Sequence, residues 1–240
     1  PFKGNLTKKE IVDQVRLLIQ NTAYVQDCEK VKIGFARMGE PAHNLINVTE
    51  AMISLPHISL QEGRNFKWLP CFNTILPKKC NFSPEEVIER VSRVKEVYFD
   101  GYLHFQISCN STDENKRKEL FGGSEVMTIE DIIKKFNKTR TTNRTITLNF
   151  IVMKGVEVDV QKLKKMGLNR NKFAVKLIPL NNTIRAEENN LETVANYSNY
   201  EELVDLKNEF EAEGIPVVMD AIAKCEEAGL CCGQLVQIFK

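Results

Sequence analysis

The sequence predicts an α/β fold built on a parallel sheet, and three observations carry that prediction. Short apolar runs of strand type alternate with helical patterns along most of the 240 residues, which is the mark of βα units. Five or six such units point to an open or closed barrel. The rival doubly wound sheet would be expected to open on a Gly-rich GxGxxG turn, and neither that nor a Walker phosphate loop occurs. The composition, 42% hydrophobic with 33 Lys+Arg against 32 Asp+Glu, supports a real core and excludes disorder of the whole chain.

Taken in order, the elements read as follows. Thr7 with Glu10 forms a capping box, and Ile11, Val15, Leu18 and Ile19 share one face of the helix behind it. Residues 31–36 alternate as a strand that ends at Gly39-Glu40-Pro41. A helical stretch near 44–54 and a strand at 66–69 follow. Ser83-Pro84-Glu85-Glu86 then opens a helix carrying Val87, Ile88, Val91 and Val94, with proline at the position where its missing N–H costs nothing. Leu103, Phe105 and Ile107 alternate along the next strand, and Thr128 starts a helix with Ile129, Ile132, Ile133 and Phe136. Residues 146–152 form the clearest strand, rich in β-branched side chains. A short helix near 158–166 leads to a strand at 173–178. Ser198 and Glu201 cap a helix carrying Leu203, Leu206 and Phe210 and stopped by Gly214, and a strand at 215–219 precedes a tail. The domain organisation expected is one incomplete barrel over 1–219 with a C-terminal tail over 220–240.

No run of about 18 apolar residues occurs and the N-terminus lacks a signal-peptide core, so a soluble, cytoplasmic protein with no membrane partner is expected. The seven cysteines, at 28, 71, 80, 109, 225, 231 and 232, give neither a CxxC pair nor a disulfide framework. Near-zero net charge argues against a generic nucleic-acid coat, so any nucleic acid needs a local basic patch. One candidate is Lys134, Lys135, Lys138, Arg140 and Arg144, although basic residues also gather at a helix C-terminus for its dipole alone. The six acids of the 201–213 helix read as a solvated face. The Asn-x-Ser/Thr triplets read as incidental, and His43, His57 and His104 share no metal-ligand spacing.

In parallel βα architectures the chemistry gathers at the C-terminal ends of strands. There the sequence places Gly39 and Glu40, then Ser108 and Asn110, then Asn181 and Asn182. A carboxylate beside glycine can meet an ammonium while a ligand approaches the backbone, and Ser and Asn can meet hydroxyl, carboxylate or amide edges. Turns also favour these residue types for their own conformations, and the pattern alone leaves both readings open.

The run Phe35-Ala36-Arg37-Met38-Gly39-Glu40-Pro41-Ala42-His43-Asn44 resembles the FxxMGEPxxN segment of radical S-adenosylmethionine methyltransferases of the RlmN and Cfr type. Three collinear stretches are similar as well: Asn5-Leu6-Thr7 with Glu10-Ile11 and Gln14-Val15, Leu177-Ile178-Pro179-Leu180-Asn181, and Cys232-Gly233-Gln234-Leu235. The resemblance implies a partial (βα)6-type, TIM-like radical S-adenosylmethionine barrel. It implies binding of S-adenosylmethionine at a [4Fe–4S] cluster, with Gly39, Glu40, Ser108, Asn110 and Asn181 on the cofactor rim and Cys232 as the methylated cysteine. The implied reaction is radical methylation of an adenine carbon in structured RNA, rRNA or tRNA, with a reductant serving the cluster. An aromatic amidine carbon is not nucleophilic, so polar methyl transfer does not reach it.

The departures from that family set further expectations. No CxxxCxxC motif is present, so the cluster ligands and the first strand are expected upstream of Pro1. Leu69-Pro70-Cys71-Phe72-Asn73 stands where the family has a serine-rich turn. Ser108-Cys109-Asn110 replaces S-x-H, trading a titratable imidazole for an amide. The acidic Glu226 and Glu227 stand before CGQL, where arginines are usual. A non-RNA substrate, or a barrel that binds S-adenosylmethionine without catalysis, are the alternative readings.

Overall fold

The computed structural model describes residues 4–22, 28–35, 39–64, 66–195 and 199–220. Six strands occur in chain order: β1 (Lys30–Phe35), β2 (Lys67–Thr74), β3 (His104–Ser108), β4 (Ile146–Val152), β5 (Phe173–Pro179) and β6 (Val217–Met219). Their order in the sheet is also β1-β2-β3-β4-β5-β6, and the pairings β1–β2, β3–β4, β4–β5 and β5–β6 are parallel. The α/β fold with a parallel sheet is therefore as expected. The chain divides into two compact units, Pro1–Phe105 with Thr139–Arg144, and Gln106–Lys138 with Thr145–Lys240.

In the first unit, α1 (Lys8–Asn21) starts at the expected capping box, with Glu10 N–H donating to Thr7 Oγ1 and Thr7 N–H donating to Glu10. Its buried face is Val12, Val15 and Ile19, whereas Leu18 is 60% exposed. The correction is geometric: a stripe centred on Val15 and Ile19 takes in Val12, and Leu18 falls beside it. Helix α2 (Leu45–Gln61) is longer than expected and runs through Pro56. Leu55 and Ile58 on either side of the proline are buried, so packing outweighs the one lost backbone bond. Strand β2 likewise extends to Thr74 instead of stopping at Leu69. Helix α3 (Pro84–Tyr98) has the anticipated Ser83–Glu86 capping box.

In the second unit, α5 (Ile129–Lys138), α6 (Val160–Lys165) and α8 (Glu201–Ala212) fall where the periodicity puts them. Two short helices were not anticipated, α4 (Glu114–Leu120) and α7 (Ile184–Glu188). Asp113 caps α4 by accepting from Lys116 N–H at 2.7 Å. Ser198, the expected cap of α8, lies outside the described residues; Asn199 Oδ1 accepts from Glu201 N–H at 2.8 Å.

Parallel pairing gives this unit two different sheet faces. Register partners share a face, so Leu148, Phe150, Val175 and Leu177 point one way, and all are fully buried. This is the helix-covered side: Phe173, two residues before Val175, meets Phe136 of α5 edge-on at 6.0 Å. The opposite face carries Gln106, Ser108, Thr147, Asn149, Ala174 and Lys176, followed by the apolar pair Ile151 and Ile178 towards the strand ends. That face is polar in the middle of a sheet. Among the described residues no helix is long and apolar enough to cross a membrane.

Candidate functional site

In the first unit the turn after β1 holds Gly39 and Glu40. Gly39 is exposed with φ +102°, and a Cβ built there would meet nothing within 4 Å. Backbone at that point is open to an approaching ligand. Glu40 is half-buried, and its carboxylate is heavily used. Oε1 accepts from Ala42 N–H at 3.0 Å and from the Thr74 hydroxyl at 2.6 Å, while Oε2 accepts from Ile75 N–H at 2.9 Å. Two donors fill Oε1, and one leaves Oε2 with room for another. The glutamate that the sequence marks as an ammonium partner therefore also caps the turn Pro41–Asn44 and ties it to the end of β2.

Removing this side chain is expected to cost stability as well as any ligand contact. Glu40→Ala strands three donors, so unfolding free energy should fall by about 2–3 kcal/mol, roughly 4–12 °C in Tm. Thermal unfolding followed by circular dichroism measures it. A variant that melts with the wild type would show that the three bonds are replaced by water at no cost.

The motifs flanking Glu40 have a structural logic of their own. Asn5 donates through Nδ2 to His43 O at 2.9 Å, and Asn44 donates through Nδ2 to Leu6 O at 2.7 Å. The two asparagines thus cross-tie the segment before α1 to the turn before α2. Ala36, Arg37 and Met38 of the same motif lie outside the described residues.

The second unit holds Ser108, Asn110 and Asn181. Ser108 ends β3 and Asn181 follows β5, so both stand at C-terminal strand ends as expected. Asn110 has φ +63°, a left-handed conformation that Asn tolerates better than most residues. Its N–H meets Asn149 O at 3.4 Å, and Cys109 N–H donates to the same oxygen at 2.8 Å. Sequence reasoning missed what pins this rim. Ser111 and Thr112, both buried, hydrogen-bond to Glu157 O, and the Thr112 hydroxyl accepts from Asp159 N–H at 2.9 Å. The loop after β3 is thereby stitched to the loop after β4. The run Ser111-Thr112-Asp113, rich in side chains that bond local backbone, was the available signal.

Asn149 was also missed. It is 4% exposed, and its Oδ1, like that of Asn110, is buried with no hydrogen-bond partner. A buried orphan acceptor is uncommon enough to need a reason. Cys109, beside it in sequence, is fully buried, and that burial pushes its thiol up to about 12; it is a packed apolar group, not a nucleophile. Cys71 reads as buried too, yet its Sγ lies 3.8 Å from His104 Nδ1 in the first unit.

Cys232 and the whole CGQL segment lie outside the described residues, as do Cys225 and Cys231. Among the described residues no group of three or more His, Cys, Asp or Glu could hold a metal ion. Those residues therefore do not fit an iron–sulfur cluster. S-adenosylmethionine carries ammonium, ribose hydroxyl and adenine N–H donors; taken unit by unit, Oε2 of Glu40 in the first and Oδ1 of Asn110 in the second each keep capacity to accept.

The fold has a likeness among solved structures. A radical S-adenosylmethionine methyltransferase from Sphaerobacter thermophilus superposes with a TM-score of 0.65 over 97% of this chain and 62% of that one, at 21% identity. That likeness establishes the fold. In sequence, the chain is similar to RlmN-type dual-specificity RNA methyltransferases. It is 28% identical over 189 residues to the probable RlmN of Aquifex aeolicus, covering 75% of this chain and 49% of that protein. It is 26% identical over 183 residues to the RlmN of Helicobacter hepaticus, covering 75% and 46% respectively. The chain thus spans about half the length of the curated relatives it matches. No protein-family model matches it.

Proposed function

We propose that this chain is the S-adenosylmethionine-handling part of a radical enzyme that methylates an adenine carbon in RNA. The observation that carries the reading is the RlmN likeness along 75% of the chain, on a fold shared with a radical S-adenosylmethionine methyltransferase. S-adenosylmethionine supplies the methyl group, and Cys232 is the residue that receives it. Gly39 leaves its backbone open to the ligand, and the spare site on Glu40 Oε2 takes one ammonium N–H. Within the second unit, Ser108, Asn110 and Asn181 offer hydroxyl and amide groups at C-terminal strand ends, and the stitched loops after β3 and β4 keep those ends rigid. Rigid placement matters because misplacement of the reacting atoms by an ångström costs orders of magnitude in rate. The 1–219 barrel and 220–240 tail divide the work in this reading, with the methyl carrier on the tail.

Mass spectrometry of the peptide bearing Cys232 tests it, after anaerobic expression with the cluster and incubation with methyl-labelled S-adenosylmethionine. A single methyl group on Cys232, absent in Cys232→Ala, is the expected result. An unmodified Cys232, with the Ala variant equally active on RNA, would remove the methyl-carrier role.

A further inference from the structure

On the polar face of the second unit, pairing sets three side chains in one row. Ser108 is the register partner of Asn149, and Asn149 is the partner of Lys176. Adjacent strands lie about 4.8 Å apart, so the row crosses three strands in roughly 10 Å. The helix-covered face at the same height is fully buried; here Ser108 and Lys176 keep partial access to solvent, and Val218, the partner of Lys176 on β6, is 54% exposed. Asn149 sits between them, 4% exposed with an unpartnered Oδ1. Lys176 is the one cation among the described residues of this face. It reaches the Asp220 carboxylate at 2.5 Å, with side chains 19% and 44% exposed.

We propose that Asn149 and Lys176 form a subsite for a ribonucleotide of the substrate strand, with Lys176 meeting its phosphate and Asn149 accepting from its ribose hydroxyl. The inference rests on the RNA reading above. The row asks for a ligand that brings a donor to Asn149 and an anion to Lys176 within a strand spacing, and a ribonucleotide carries both on adjacent atoms. The amino-acid end of S-adenosylmethionine suits it less, because its ammonium lies next to its carboxylate and would be repelled by Lys176. An ammonium is a compact point charge without the planar fork of arginine, and phosphate accepts it from any direction. Asp220, the first residue after β6, neutralises Lys176 without ligand. It is accessible enough to be displaced by a phosphate, so the lysine exchanges one anion for another.

Fluorescence anisotropy with a short labelled single-stranded RNA, and with its DNA counterpart, tests the subsite over a range of salt concentrations. Calorimetry with S-adenosylmethionine runs in parallel. Lys176→Gln is expected to weaken RNA binding about tenfold and to reduce the salt slope by about 0.7. Asp220→Asn, which frees the lysine, is expected to tighten RNA binding several-fold. This opposite sign is one that misfolding does not produce. Asn149→Leu is expected to narrow the preference for RNA over DNA, and S-adenosylmethionine affinity should hold for Lys176→Gln. If wild type binds RNA and none of the variants alters that binding, the subsite is wrong while the RNA reading stands. Loss of S-adenosylmethionine affinity with RNA binding intact assigns the row to the cofactor and also overturns the proposal. Failure of wild type to bind RNA removes both.

Discussion

Glu114→Ala is expected to lower the unfolding free energy by about 3–5 kcal/mol, the scale for leaving a buried charge without its partner. The charge is Arg117 on α4, whose side chain is 0% exposed. Its Nη1 donates to Glu114 Oε2 at 3.1 Å and to Met127 O at 2.7 Å, and its guanidinium lies 5.5 Å from the centre of the Phe121 ring. The other oxygen of Glu114 accepts from Ile129 N–H at 2.8 Å, at the first turn of α5. One carboxylate therefore balances a buried cation and satisfies an otherwise orphaned helix N–H. Arg117 has little margin, since its Nε and Nη2 are already buried without partners. The double change Arg117→Met with Glu114→Gln should cost less than Glu114→Ala alone, because it removes the charge and its partner together. Urea unfolding of the wild type and the two variants decides the matter; a Glu114→Ala loss within about 1 kcal/mol would mean that water reaches Arg117.

A comparable loss, about 3–5 kcal/mol, is expected for Glu96→Ala in the first unit. Lys95 of α3 is 1% exposed and its neighbour Glu96 17% exposed, with Nζ and Oε1 at 2.9 Å. Lys95 also donates to Thr142 O at 2.6 Å, and Glu96 accepts from both the N–H and the hydroxyl of Thr142. The end of α3 is thus clamped to the loop before β4. Gly101 completes the clamp: its φ is +75°, and a Cβ there would lie 2.5 Å from Thr142 O, so a side chain has no room.

The pH dependence of this loss follows from two opposite shifts. Burial pushes the Lys95 pKa down, and Glu96 only partly restores it. Burial pushes Glu96 up, but hydrogen bonds from Thr142 and Lys95 outweigh it and leave the carboxyl below its usual range. A carboxyl with a depressed folded pKa stabilises above its unfolded pKa, and that contribution is lost as pH falls through the folded one. A lysine with a depressed folded pKa works the other way: its cost is present at neutral pH and is relieved as pH rises from the folded pKa towards the unfolded value near 10.5. The gap between wild type and Glu96→Ala should therefore be widest near neutrality, closing in acid and again towards pH 10. Stability measured across that range with a flat difference would contradict the clamp.

Much of the fold was legible because it is written locally. The Thr7–Glu10 and Ser83–Glu86 boxes, the apolar alternation of β3 and the β-branched run of β4 each involve residues a few positions apart. The misreadings arose where distant partners decide. Pro56 looks like a helix end until Leu55 and Ile58 find their neighbours, and α4 is too short and charged to announce itself without Arg117 in its pocket. Of the candidate site, the strand-end positions of Gly39, Glu40, Ser108, Asn110 and Asn181 were readable from topology. The three donors on Glu40 were not, because two of them come from residues 34 and 35 positions away.

By itself, then, the sequence determined an α/β chain with helices and strands in nearly their observed order, and a resemblance to RlmN-type enzymes through motifs that chain order preserves. Periodicity, caps and motifs are properties of neighbours, and neighbours are what a sequence records. Only the tertiary structure decided which asparagine is buried without a partner, which lysine stands beside it, and that Asn5 and Asn44 tie two motifs to each other. Those facts depend on strand register and loop contact, where residues tens of positions apart meet, and where a one-residue slip would turn every side chain of a strand to the opposite face.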